Sequence, residues 1–370
     1  MYEKTDIIIA GAGLVGLSFA CLMAQQGRTV RLLETHLPDI LTQSRANHRP
    51  LALSYGSYRT LTSLTIWEAI QAHASPLLAV HVSEEGRLGF TKFTAREMQK
   101  EALGYVVPLS ELYRALYTRA ASLKKVFYTG ISHIKKIDQK KIVCDQKTYE
   151  SDLFVAADGT QSACRTMLNI IADENAWGET AIIYQVSLDK PHDFVAYERF
   201  TEAGVFALLP LKNPHQAQIV QTGKNNNDID DKKIQDVFAG RITITSVKKI
   251  AEYPLKTVIA RQQVVGTAVL LGNSAHTIYP VAAQGFNLGL HDAAMLADLL
   301  LKNFTHIPEV LLAYEKKVRP HQQKIIRFTG QLSTWFELPF LGRARGLGMM
   351  LLNGSGVLKR RIAREMMGIS

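Results

Sequence analysis

Three short stretches of the chain bring together residue types that could do chemistry jointly. The first is Gly11-Ala-Gly-Leu-Val-Gly16, with Glu34 18 residues beyond Gly16. Here Gly11 permits a tight turn, Gly13 lets the backbone approach a pyrophosphate, and Gly16 lets a helix pack closely on a strand. Glu34 stands where a carboxylate can accept both hydroxyls of an adenosine ribose. An acid there disfavours a 2′-phosphate, so the nucleotide read from this stretch is FAD or NAD rather than NADP. The bland alternative is a glycine-rich turn that serves packing alone. The second stretch, Asp158-Gly-Thr-Gln-Ser-Ala-Cys-Arg165, reads either as an ordinary strand, turn and helix cap or as a turn that touches a pyrophosphate, with Arg165 supplying charge. The third, Gly272 to Leu288, sets small residues and one early asparagine, Asn273, between an apolar strand and an apolar helix. Something other than side chains has room to fill that space.

The elements that must position these residues are legible around them. Asp6–Ala10 reads as a short buried strand, Leu17–Gln26 as a helix ended by Gly27, and Thr29–Leu33 as a second strand. That is a βαβ unit of the expected length, roughly 30 residues. Its helix offers free N–H groups and the positive end of a dipole to phosphates. Asp152–Ala157 is another buried strand, running straight into the second motif.

Bulk properties narrow the class. A chain of 370 residues exceeds one typical core, so two domains or an interleaved pair are expected. With 47% hydrophobic and 21% charged residues it has ample core-forming surface and is not a disordered chain. Cys21, Cys144 and Cys164 are too widely spaced for a zinc pattern or a disulfide framework, which points to a reducing cytoplasm and to no metal. No signal peptide precedes the first strand, and no apolar run reaches the ~18 residues of a membrane span. A net charge of +10 suits an anionic partner, a membrane surface or plain solubility. No nucleic-acid-binding signature accompanies it, so nucleic acid is not expected.

Taken together, GAGLVG with Glu34, DGTQSACR and GNSAHTIYPVAAQGFNLGLHD resemble the three fingerprints of the class A flavoprotein aromatic hydroxylases, and within them the ubiquinone-biosynthesis hydroxylases. Arg49–Ser54, Gly104–Val107, and Tyr197-Glu-Arg-Phe-Thr201 with Ala207–Leu211 follow in the same order. The likeness spans Asp6 to Gly368. It implies an α/β fold: a Rossmann-like FAD-binding domain with a β-meander, interleaved with an α+β substrate domain, para-hydroxybenzoate-hydroxylase-like, plus C-terminal helices. The expected boundaries are 1–70, 100–170 and 256–330 for the FAD domain, 71–99 and 171–255 for the substrate domain, and 331–370 for the helical tail.

The resemblance also implies a chemistry. NAD(P)H reduces bound FAD, O2 adds to it, and the resulting C4a-hydroperoxide transfers oxygen to a polyprenylated phenol. The step it most resembles is that on 2-polyprenyl-6-methoxyphenol, because Asn273 stands where most of the superfamily has Asp. Cofactor-binding candidates are Gly11, Gly13, Leu14, Val15, Gly16, Glu34, Arg49, Asp158, Gly159, Arg165, Gly272, Asn273, Pro280, Gly285, Phe286, Asn287 and Leu288. Arg49 is expected to approach the pyrophosphate, the alternative being a surface charge capping a helix that starts near Tyr55. Ala283 replaces a usual glycine. Tyr279, Pro280 and Gln284 are the catalytic candidates, with Tyr279 expected to line the substrate cavity. His276 is expected to support the loop backbone. The sequence singles out no acid or base for proton transfer.

The tail, Leu341–Ser370, carries Arg343, Arg345, Lys359, Arg360, Arg361 and Arg364 among apolar residues such as Leu347, Leu351, Val357, Leu358 and Met366. That pattern suits a helix on an anionic membrane surface, a face for other ubiquinone-biosynthesis proteins, or a helix packed on the FAD domain. A cytoplasmic protein peripheral on the inner membrane follows from the first reading; a homo-oligomer is left open. Two rivals to the hydroxylase remain: an FAD-dependent isoprenoid reductase and a non-catalytic flavoprotein subunit.

Overall fold

The computed structural model describes residues 3–35, 49–87, 89–138, 140–145, 147–223, 230–279, 284–337 and 351–369. Its first sheet is parallel at the centre. Strands Glu3–Ala10, Val30–Glu34, Val126–Gly130, Lys147–Ala156 and Ala268–Leu270 run side by side in parallel register, with Ile9 opposite both Val155 and Leu32. Alternation along the first strand divides the core in two. Ile7 and Ile9 pack with helices Leu14–Gln25, Leu109–Ser122 and Gln284–Lys302, whereas Ile8 and Ala10 pack with the antiparallel strands Ile134–Asp138 and Lys141–Cys144. Both faces are therefore covered, which is why the strand reads as an unbroken apolar run.

A second sheet is largely antiparallel. It draws on Ala79–Glu84, Phe90–Thr94, Ala172–Leu188, Val195–Thr201, Gly204–Pro210, Gln216–Gly223, Ile244–Ala260 and His276–Thr277. Strand Ile244–Ala260 does not stop at 255; it runs on into the first-sheet region, and His276–Thr277 of the third motif pairs with its end. One face of this sheet packs on helix Asp231–Phe238, and the other, which carries Phe93, turns toward Leu77 and the last helix, Gly356–Met366. A small third sheet, Pro50–Ser54 with Gly104–Pro108 and Ser75–Pro76, joins the two. Among the described residues no helix is long and apolar enough to cross a membrane.

Candidate active site

The glycines of the first motif divide their work as the spacing predicts. Gly11 has φ +99°, and a Cβ there would lie 2.4 Å from the Ala157 carbonyl oxygen. At Gly16 a Cβ would meet the Gly11 carbonyl oxygen at 2.2 Å, so helix and turn touch only because both are glycine. At Gly13 a Cβ would meet nothing within 4 Å. The space in front of Gly13 is a cavity of about 410 Å³, whose wall includes Leu14, Val15, Arg49, Gly159, Asn273 and Phe286. Helix Leu14–Gln25 begins beside it with no side-chain cap and no acid in its first turn. Its leading N–H groups and positive dipole end are thus left for an anion. Glu34 accepts a hydrogen bond from the Ala12 amide at 2.7 Å and so fixes the loop that bends around this opening.

The second motif works mostly as a brace. Asp158 accepts from the Ser162 hydroxyl at 2.5 Å and the Cys164 amide at 3.0 Å, which caps the short helix Ala163–Met167. Arg165 corrects its expected role. It is buried, donates to the Ser274 carbonyl at 3.0 Å and the Thr160 carbonyl at 3.1 Å, and lines neither cavity. Its guanidinium ties the second motif to the third instead of reaching a pyrophosphate. Gly159 alone of this motif's candidates reaches a cavity wall.

In the third motif Gly272 has φ +62° and packs against Val15, a contact that Gly289 shares. Asn273 is exposed on the wall of both cavities, and Gln284, Gly285, Phe286 and Asn287 line the larger one. Asn287 is held in place: its side chain accepts from the Ser54 amide and the Ser57 hydroxyl and donates to the Ala52 carbonyl. Leu288 is buried in the core and lines neither cavity. Helix Gln284–Lys302 starts without an acid in its first turn, so its dipole also faces the cavity uncompensated. His276 supports the loop through a buried hydrogen bond, Nε2 to the Asp292 carboxylate at 2.7 Å, and Gln322 donates to the same oxygen at 2.6 Å. Burial pushes the Asp292 carboxyl up, but the hydrogen bonds from His276, His291 and Gln322 outweigh it and hold the group below its ordinary range. Tyr279 corrects its expected place. It is buried, its hydroxyl donates to Glu179, its ring meets Trp177 edge-on, and it does not line the substrate cavity. Pro280, Ala282 and Ala283 lie outside the described residues.

The larger cavity, about 790 Å³, shares Arg49, Leu51, Leu109, Asn273 and Phe286 with the smaller one. Arg49 sits at their junction, its guanidinium carbon 5.3 Å from the centre of the Tyr253 ring. From there the walls turn apolar: Val80, Phe93, Ile183, Leu209 and Val220 from the second sheet, Leu77 beside them, and Ala363, Met366 and Met367 of the last helix. Two of these features escape sequence reasoning. The tail residues were legible as amphipathic but not as cavity wall. Glu198 was legible only as one letter of the Tyr197–Thr201 stretch, yet among the described residues it is the one carboxylic acid on this wall. Burial raises it from 4.5 to about 7.

The description "FAD binding domain" belongs to a family that matches residues 4–329. The chain belongs to this family. FAD is therefore the bound cofactor, and the open cradle at Gly13, the uncapped helix start and the cavity along Asn273 and Phe286 fit it. The chain is 27% identical over 388 residues to the ubiquinone hydroxylase UbiL of Rhodospirillum rubrum, covering 99% of this chain and 90% of the relative. It is likewise 27% identical to the 3-demethoxyubiquinol 3-hydroxylase of Escherichia coli strain K12, over 99% of both chains. Among solved structures, p-nitrophenol 4-monooxygenase PnpA from Pseudomonas putida DLL-E4 superposes with a TM-score of 0.78 over 98% of both chains at 16% identity, a likeness of fold.

Proposed function

We propose that this flavoprotein is an FAD-dependent monooxygenase that uses NAD(P)H and O2 to hydroxylate a polyprenylated phenol in ubiquinone biosynthesis, at the 2-polyprenyl-6-methoxyphenol step. The observation that carries it is the junction of two unlike cavities: one that opens onto the glycine cradle and a helix start, the other a largely apolar chamber of about 790 Å³ with one acid among the described residues of its wall. FAD, when bound, supplies the electron transfer and oxygen activation. The chain's own residues do the rest. Gly13, Asn273, Gly285 and Phe286 would hold the cofactor, and Arg49 would face its charged part. The start of helix Gln284–Lys302 would stabilise negative charge gathering on the ring system. Ile183, Leu209, Val220 and Phe93 would seat an apolar substrate and exclude water. The relatives named above, a ubiquinone hydroxylase and a demethoxyubiquinol hydroxylase, support the substrate class.

The test is metabolite profiling of a deletion strain grown in air, paired with the purified enzyme under isotopic O2. Accumulation of 2-polyprenyl-6-methoxyphenol and incorporation of one labelled oxygen are expected. Accumulation of another ring intermediate moves the step; reduction of an isoprenoid without label replaces the reaction.

A second observation favours membrane contact. The last helix presents Val357 (76% exposed) and Leu358 (49%) beside exposed Arg360, Arg361 and Arg364, while its inner face closes the substrate chamber. Lys359 does not join that basic face; it is buried and pairs with Glu97 at 2.7 Å. A lipid-bound phenol would then enter where the helix meets an anionic bilayer. Replacing Val357 and Leu358 by serine should weaken sedimentation with anionic vesicles and leave bound FAD unchanged; equal sedimentation rejects the idea. Removing the whole tail is a poorer test, because it also unroofs the chamber.

A further inference from the structure

Resting on that reading of the chamber as a phenol site, one residue has a geometry that structure alone does not require. Strand Val195–Thr201 alternates between two faces. Arg199 serves the far side, where it donates to the Val237 carbonyl and to Ser83, and Tyr197 packs with the far-side cluster while still bordering the chamber. Ala196 and Glu198 face the chamber. Glu198 is flanked in register by Val82 and Ala207, both apolar, and is 9% exposed. Its Oε1 is buried with no hydrogen-bond partner, and no described residue donates to either oxygen. The other ionisable groups on the chamber wall are Arg49, Lys256, Tyr197 and Tyr253; none is paired with it, and burial is the whole cause of its raised proton affinity. A buried carboxyl without donors costs stability unless something else satisfies it.

We propose that Glu198 is the catalytic residue that accepts the hydroxyl hydrogen of the bound phenol and takes that proton as the ring is oxygenated. In the step the O–H bond breaks, its electron pair stays on the phenol oxygen, and the proton moves to a Glu198 oxygen. The pair delocalises to the ring carbons ortho and para to that oxygen, making them better nucleophiles toward the incoming oxygen atom. The ring carbon then releases its own hydrogen as a proton to the leaving oxygen of the oxygen donor, the C–H electron pair restores the aromatic ring, and Glu198 returns its proton to the phenol oxygen, so Glu198 ends as it began. A base with a proton affinity near neutrality suits this two-way transfer. The polar end of the substrate is thereby oriented as well: the one carboxyl among the described residues of the wall, set on an apolar sheet face, draws the hydroxyl end of an amphipathic phenol toward it.

The experiment uses the FAD-loaded full chain, with 2-geranyl-6-methoxyphenol as probe, and compares wild type with Glu198→Gln and Glu198→Asp. Glu198→Gln should keep its FAD but lose hydroxylation about 100-fold or more, with Glu198→Asp regaining part of it. The acid limb of the wild-type pH–rate profile, with a midpoint near 7, should vanish in Glu198→Gln. Without reductant, the probe should bind more weakly as the pH falls through about 7 in wild type and show no such pH dependence in Glu198→Gln, read from the perturbed absorbance of the bound flavin. Hydroxylation by Glu198→Gln within about threefold of wild type, with the acid limb kept, overturns the proposal. If wild type hydroxylates no phenol at all, the proposed function fails, and the binding titration decides Glu198 alone: the same pH dependence in both proteins overturns it, a dependence confined to wild type upholds it.

Discussion

Around the smaller cavity the wall combines side chains such as Arg49, Tyr113 and Phe286 with an open glycine cradle and a helix end: Gly13, Gly159, the start of helix Leu14–Gln25, and Asn273 after a turn. Around the larger one it is side chains from strands far apart in sequence, with Val80, Ile183, Glu198, Leu209 and Val220 meeting on one sheet face. The difference teaches what each binds. A pyrophosphate is recognised by N–H groups and dipoles that any sequence has, so specificity there lies in removing side chains. A phenol with an apolar tail is recognised by shape and one polar contact, so specificity there lies in adding them.

Substitutions can break or sharpen this contrast. The largest loss is expected at the brace beneath the glycine-cradle side. Asp292→Ala leaves His276 and Gln322 without their buried acceptor and should cost about 3–5 kcal/mol in denaturant unfolding. In wild type the Asp292 contribution is present above the ordinary carboxylate range and lost as the pH falls below it, since its folded affinity for protons is lowered. Next comes a pair of glycines. Gly16→Val drives a side chain into the Gly11 carbonyl and should destabilise the apoprotein by about 3 kcal/mol. Gly13→Val meets only empty space, so the apoprotein should unfold as wild type does while FAD affinity drops by about 100-fold, read by flavin titration. If the two glycines behave alike, the cradle is not what distinguishes them.

On the side-chain-walled side the signs reverse. Glu198 is raised from 4.5 to about 7, so its carboxylate burdens the fold increasingly as the pH rises through that window. Glu198→Gln should therefore be more stable than wild type at about pH 8, by up to about 3 kcal/mol, with no gain near pH 4. A variant that gains stability while losing turnover is the signature of a group kept for chemistry. The smallest effect is at the rim: Lys359→Met removes a half-exposed pair with Glu97 and should shift unfolding by less than about 1 kcal/mol.

How much of this could be read beforehand follows the same division. The βαβ unit, the roles of Gly11, Gly13 and Gly16, and the loop before helix Gln284–Lys302 were legible because each is a local backbone demand that glycine meets and other residues do not. Arg165 and Tyr279 were misplaced for the opposite reason. A charged or phenolic side chain inside a motif points at a ligand only if no nearer partner claims it, and here the Ser274 and Thr160 carbonyls and the Glu179 carboxylate do. Glu198 was passed over because acids on strands are common, and nothing in its neighbours reveals that every atom around it would be apolar.

The sequence by itself determined the nucleotide-binding βαβ unit, since this depends on residues within about 30 positions of one another obeying steric rules of the backbone, and three separated motifs together carried the resemblance that implies FAD. Only the tertiary structure decided the reaction chamber. Its wall gathers residues from 49 to 367, and whether a side chain there is a brace, a wall or a base depends on which partners the fold brings within hydrogen-bonding distance.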